Sequence, residues 1–434
     1  MKQETTRMSA NQLTNINCWS PDSQFLFYDV RSGKDGSVFD GTRIEKLHVE
    51  SGEVETLYES KNGAYCGVVT CSPVENRLVF IHSPEYPDAH WNYSFQHRYG
   101  MILASNGQAE ILDACNVVPP FSPGALRGGS HVHVFSGDGQ WISFTYNDHL
   151  LHLLDKNPNA PPHDFDQRNI GVAVPLYPVH VNRNHLRNHD GSYFSVLVSQ
   201  TVNHPQPGSD EIQRAFEDAW IGVDGYLKPD GSRQKKAIAF LGDVIGNDNR
   251  VVTEIFVVDL PDQMEHFAVS GNTPLEGTLT RRPAPPYGIT QRRLSYTTDW
   301  HFPGVQGVRH WVRSSPDGSN IAFLMRDDAG VVQIWTISPN GGCPHQWTHG
   351  NHDITSAFSW SPDGKNIAHV MDHSVCISSE TETIRLTPKT DETNTPLPYA
   401  AVFSPNGSKI AFLRHQNQSN RIFVVKITVD SGTS

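Results

Sequence analysis

Twenty-two of the 434 residues are histidines, and imidazole is the side chain that takes protons and binds metals near neutral pH. The densest run is Gly128-Gly129-Ser130-His131-Val132-His133-Val134-Phe135. It alternates polar and apolar residues, so on a strand His131 and His133 share one face and Val132 and Val134 the other. His149 and His152 follow shortly after. His131, His133 and His149 are candidates for a general base or for ligands, with His152 read as structural. A second basic group holds His180, Arg183, His185, Arg187 and His189. Alternation puts Arg183, His185 and Arg187 on one face, and arginine pairs bidentately with carboxylates. A third lies in Arg309-His310-Trp311 and Thr348-His349-Gly350-Asn351-His352-Asp353. His310 and His352 are candidate ligands of a divalent metal (Mn, Zn or Ca), since a few His or Asp donors with an open position make a catalytic metal site. The bland alternative for all three groups is polar channel filling and solvated rim surface.

What must position these groups is a repeat. Ser-Pro or its variant recurs at Ser20-Pro21-Asp22, Ser72-Pro73, Ser136-Gly137-Asp138-Gly139, Ser315-Pro316-Asp317-Gly318, Ser361-Pro362-Asp363-Gly364 and Ser404-Pro405-Asn406-Gly407, with a degenerate copy at Asn188-His189-Asp190-Gly191-Ser192. Each precedes an apolar, β-forming run such as Ile321-Ala322-Phe323. Proline ends a strand, Asp-Gly turns the chain, and β-branched or aromatic residues return it. Units of this length hold four short strands, the size of a propeller blade. The copies predict an all-β, seven-bladed β-propeller, one domain over 1–434. An eighth blade opening at 218–224 is the alternative.

On that frame the residues five before each serine share the channel-lining position: Asn15, Gly67, His131, Arg183, His310, Ser356 and Tyr399. Two histidines and an arginine thus point toward one axis. Residues 4–14, ending in Gln12-Leu13-Thr14, are expected to supply the missing outer strand of the last blade and clasp the ring. The fourth blade is expected to be oversized, about 176–300, with a helical insertion at 200–235. Ile212, Ala215, Phe216, Ala219 and Trp220 line one face of that predicted helix, over 209–220.

Composition closes off other classes. Lys and Arg number 34 against 46 Asp and Glu, a net charge of −12 without basic runs, which opposes nucleic-acid binding. No apolar run approaches the length of a membrane span. The start lacks a secretory pattern and the six cysteines are scattered, so a cytoplasmic location is expected, with a processed periplasmic form as the alternative. Gly-x-Ser-x-Gly, Walker and His-Glu-x-x-His motifs are absent.

The units at 315–323, 361–368 and 404–412 resemble the WD40-like repeats of TolB propellers. Over nearly its full length the chain is similar to the bacterial YidR family, through residues 128–133, Pro-Gly-Ser-Asp-Glu-Ile (207–212), Ala-Ile-Ala-Phe-Leu-Gly-Asp (237–243) and Phe-Val-Val-Asp-Leu-Pro (256–261); that resemblance implies no activity. More distantly the architecture resembles the propeller polysaccharide lyases, oligogalacturonate lyase and ulvan lyase, in which channel histidines, an arginine and, in the pectic case, a His-bound metal act. The setting of His310 resembles that of such a metal histidine, and His131 that of a catalytic one. The resemblance implies β-elimination on a uronate-containing oligosaccharide, with Arg183 or a metal neutralising the carboxylate and His131, helped by His133 or His149, as base. The alternative is a non-catalytic scaffold that binds a protein or peptide on its rim.

Overall fold

A repeated hydrogen-bonded turn sets the architecture. The Ser20 hydroxyl donates to Asp22 Oδ1 (2.5 Å) and accepts from the Phe25 N–H (2.9 Å), which pins the start of the returning strand. The same clamp joins Ser136 to Asp138 and Trp141, Ser315 to Asp317 and Asn320, Ser361 to Asp363 and Asn366, and Ser404 to Asn406 and Lys409. Gly318, Gly364 and Gly407 take φ of 70–76° at the reversal, where a side chain is disfavoured.

The computed structural model describes residues 2–3, 10–32, 36–308, 311–417 and 419–427. Over these the chain forms seven four-stranded antiparallel sheets, the blades of a propeller. Their inner strands are Ala10–Gln12, Cys66–Cys71, Gly128–Phe135, Ala215–Trp220, Arg313–Ser314, Ser359–Trp360 and Pro396–Phe403. The Ser-Pro turns join inner to second strands and so share one face of the ring. Loops from second to third strands lie on the opposite face. Apolar side chains interleave between neighbouring sheets, as where Ile170, Val172 and Phe194 of blade three meet Ile238, Phe240 and Phe256 of blade four. Each such side chain contributes about 1.5–3 kcal/mol by leaving water.

The ring closes through the N-terminus, though not with the expected residues. Lys2–Gln3 pairs antiparallel with Ser419–Lys426, in register Lys2 to Val424 and Gln3 to Phe423, as the fourth strand of blade seven. Ala10–Gln12 is instead the inner strand of blade one, and 4–9 lie outside the described residues. Deleting 1–14 removes strands from two blades. The truncated protein is expected to melt well below the full chain, and an unchanged melting temperature would sink the closure.

Blade four differs from the sequence expectation. Phe194–Leu197 is the outer strand of blade three, and blade four begins at Ala215–Trp220. The run predicted as a helix is therefore an inner strand. Its helical spacing of buried residues comes from a bulge: the register shifts between Phe216 and Ala219, and Glu217 sits at φ 56°. One inserted residue breaks in-and-out alternation and imitates a helical stripe. The segment 218–224 does open a blade, but the fourth of seven. A hairpin, Tyr226–Leu227 with Arg233–Gln234, occupies the place of its Ser-Pro turn. The α-helix among the described residues is His149–Asp155.

Arg313 bonds Asn15 Oδ1 at 2.6 Å, from blade five to blade one, and Trp360 Nε1 donates to the Arg313 carbonyl at 3.0 Å. Blades five and one are not neighbours, so this contact reaches across the centre of the ring.

Candidate functional site

The candidate site lies at the mouth opposite the Ser-Pro turns, where two loops bring arginines over the inner strand of blade three. Arg98 closes the loop before Tyr99–Leu103, and Arg168 the loop before Asn169–Val174. Gly129 allows this approach: a Cβ there would lie 2.2 Å from the Phe95 carbonyl. The Arg98 carbonyl accepts from Ser130 N–H (3.0 Å), tying the loop to the strand one residue before His131. The Phe95 ring, 53% exposed, has Arg98 at 4.8 Å, Arg168 at 5.5 Å and His131 at 6.3 Å. Arg98 also donates to the Tyr93 hydroxyl (3.1 Å), and Tyr93 stacks on Phe39 at 4.7 Å. Cations stacked on aromatic faces form an open ladder.

Electrostatically the cluster is unbalanced. Arg98 is 7% exposed, its Nε is buried without a hydrogen bond, and no carboxylate lies within ion-pair distance of it among the described residues. Arg168 contacts Asn147 (3.5 Å) and Phe95, with Glu217 and Asp166 near enough to favour its charge. Burial, then Arg98, pulls the Arg168 guanidinium down to about 10, so it stays charged at neutral pH. Burial first, then Arg98 and Arg168, holds His131 well below the usual imidazole value. Its Nδ1 lies 2.6 Å from the Thr145 hydroxyl. A neutral imidazole beside two cations, one of them without a carboxylate partner, can take a proton once an anion arrives.

The other sequence candidates do not converge here. His133 does not share the surroundings of His131, because the strand bulges between His131 and Val134, with Val132 at φ 56°. It is fully buried between blades, its Nε2 bonded to Ser130 at 2.9 Å, and burial pushes it down to about 3. His149 opens the helix, its Nδ1 3.0 Å from His97 Nε2 and its ring edge-on to Trp91. Burial and then His97 take it down to about 3. Arg183 is not on an inner strand. It lies between Asn169–Val174 and Phe194–Leu197 and pairs with Asp190 at 3.1 Å. His310 lies outside the described residues. His352 reaches Asp372 at 3.8 Å, a carboxylate already held by Arg385 and Lys389. Among the described residues no group of three or more His, Cys, Asp or Glu could hold a metal ion.

A family described as "Protein of unknown function (DUF3748)" matches residues 65–189, the segment that carries Phe95, Arg98, His131 and Arg168. A relative from Escherichia coli (strain K12), "Uncharacterized protein YidR", is 45% identical over 415 residues, 95% of this chain and 94% of its own. The chain belongs to the YidR family. Among solved structures, an oligogalacturonate lyase from Vibrio parahaemolyticus superposes with a TM-score of 0.57 at 10% identity, covering 98% of this chain and 93% of its own. An oligogalacturonate lyase in complex with manganese gives 0.55 at 11% identity, with the same coverage. At that identity the likeness shows the propeller fold of this YidR-family chain. Among its described residues no helix is long and apolar enough to cross a membrane.

In this YidR-family chain the residues of the cluster that the sequence reading does not reach are Arg98 and Arg168. A signal exists: both immediately precede the third strand of their blades. The inner-strand positions of the repeat do not contain it. Asp218, on the inner strand of blade four, was also missed. It is 1% exposed, neither carboxylate oxygen meets a partner at hydrogen-bonding geometry, and burial pushes it up to about 6. The folded protein thus holds this proton more tightly than the unfolded chain, whose Asp titrates near about 3.9. Stability should fall as pH rises from about 4 to 6. Asp218→Asn should remove that fall and gain about 2–3 kcal/mol at neutral pH, read by urea unfolding at several pH values.

Proposed function

We propose that the mouth at His131 binds a uronate-containing oligosaccharide and cleaves it by β-elimination. The observation that carries this reading is Arg98, buried and without an ion-pair partner among the described residues, with the half-buried Arg168 beside it and a neutral imidazole next to both. Arg98 and Arg168 would take the uronate carboxylate, which withdraws charge from it and acidifies the C5 proton. Once the carboxylate offsets the arginines, the field that weakens His131 as a base is relieved. The imidazole takes the C5 proton, the C–H electrons form the C4=C5 double bond, and the C4–O4 bond breaks. Tyr93 accepts from Arg98 and keeps its own hydroxyl proton, which would go to the departing oxygen. The exposed face of Phe95 offers a surface for the sugar ring. The test is ultraviolet absorbance of the conjugated product on pectic and ulvan-type oligosaccharides. No rise on any acidic sugar overturns the reading.

The manganese of one structural neighbour does not find a counterpart in the described residues around His352, whose neighbour Asp372 is neutralised by Arg385 and Lys389. Elemental analysis of the purified protein checks the metal expectation at His310 and His352. A second reading, a non-catalytic scaffold for a protein or peptide, rests on the other mouth. There Pro21, Pro73, Pro316, Pro362 and Pro405, with Trp360 and Phe403, line an apolar cavity of about 320 Å³.

A further inference from the structure

A separate cavity, of about 630 Å³, lies on the flank of blades two and three. Its floor is Tyr99 and Met101 of the third strand of blade two with Ile111 of the fourth, and Tyr58 and His82 close one side. Alternation turns Tyr99 and Met101 toward the cavity, while the Arg98 guanidinium goes the other way, over Phe95 and Tyr93. The loops 83–98 and 175–193 form the walls, held together by Arg187, which donates to the Glu85 and Tyr86 carbonyls and pairs with Asp88.

The polar groups of this cavity differ in kind from those at the channel mouth. Three arginines line it, and none offers a free guanidinium to the cavity: Arg187 is engaged as above, Arg183 by Asp190 and the Asn188 carbonyl, and Arg98 turns its guanidinium away onto the Tyr93 and Phe95 rings. Glu85 takes one hydrogen bond from the Asn62 amide (3.0 Å) and has no cation within ion-pair distance among the described residues. His82 Nδ1 lies 2.6 Å from the Ser83 carbonyl and so carries the ring proton, which leaves Nε2 to accept from the Tyr58 hydroxyl (3.0 Å). The Tyr99 hydroxyl is bonded to no group among the described residues. An anion would meet Glu85 without a free cation to offset it. A flat heteroaromatic needs parallel walls, yet successive rings are tilted: Tyr58 to His82 by 75°, His82 to Tyr99 by 34°, and Tyr99 to His189 by 55°. A faceted, apolar-floored bowl with one carboxylate that has no cation, Glu85, and one free hydroxyl suits a puckered ring that carries hydroxyl groups.

We infer that this cavity binds an uncharged sugar unit, with Glu85 and Tyr99 bonding its hydroxyls over a floor of Met101 and Ile111. All lining residues except Tyr58 fall within the 65–189 segment shared with the matched family. The site is independent of the acidic-sugar reading of the channel. Isothermal titration of the full chain with methyl galactoside, methyl glucoside and lactose tests it, against galacturonate and adenosine as counter-probes. At least one neutral sugar should bind. Glu85→Gln and Tyr99→Phe should each weaken it about tenfold or more, and Met101→Trp, which fills the floor, should abolish it. Arg168→Ala should leave it unchanged, with melting temperatures confirming that every variant folds. Absence of neutral-sugar binding at millimolar concentration, preference for adenosine or galacturonate, or sensitivity to Arg168→Ala overturns the assignment.

Discussion

Arg127→Ala should destabilise the fold by about 3–5 kcal/mol, the usual consequence of stranding one partner of a buried ion pair. Arg127 is 1% exposed and meets Asp148 Oδ2 through Nε (2.9 Å) and Nη2 (2.8 Å). The same guanidinium holds the long excursion of blade four, residues 260–290 between its strands Val251–Asp259 and Gln291–Arg293, by the Thr278 and Arg281 carbonyls. Asp148 in turn accepts the Tyr146 hydroxyl and caps the helix through Leu150 and Leu151 N–H at 2.9 and 3.0 Å. Truncating the arginine leaves a carboxylate without its cation in a dry interior and frees the excursion together. Urea unfolding with a tryptophan signal measures the change, and a loss below about 1 kcal/mol would contradict the account. In the double variant Arg127→Met with Asp148→Leu much of the loss should return, because the stranded charge is gone.

His131→Ala should lower kcat on the cleaved oligosaccharide by about 10²–10⁴, the range for removal of a positioned base, without moving the melting temperature as far as Arg127→Ala does. Arg168→Ala should instead act on carboxylate capture, raising KM as well as lowering kcat. Arg168→Lys should recover only part, since an ammonium keeps the charge but loses the fork. The pH profile distinguishes a base from a packing residue. The base form of His131 persists below the ordinary imidazole value, so kcat/KM should stay level from neutral pH to below about 6.5. Wild-type turnover by His131→Ala would exclude it as the base.

Much of the fold is legible in sequence because its decisive interactions are local. Ser315, Asp317 and Asn320 form one clamp within six residues, and the same letters recur in blade after blade. Blade four escapes that reading because a hairpin replaces its turn, while Asp190-Gly191-Ser192 imitates one within a loop that packs on blade two. Bulges at Val132 and Glu217 defeat period-two and period-3.6 patterns alike. His131 could be placed from the repeat. Arg98 and Arg168 meet it only through the crossing of two loops over a third strand, a non-local contact that periodicity does not encode. Arg183, whose spacing copied a channel position, belongs to a surface ion pair instead.

The pairing of Gln3 with Phe423 also has a temporal side. These partners stand 420 positions apart, and at about 5–20 residues per second of synthesis the first waits on the order of tens of seconds for the second. Until then blade seven lacks its outer strand and the nascent chain carries an unpaired edge, the kind of surface on which chains stick to one another. Ring completion therefore waits on synthesis of the last blade, and the interval before it is when a chaperone, or a neighbouring copy, has its opportunity.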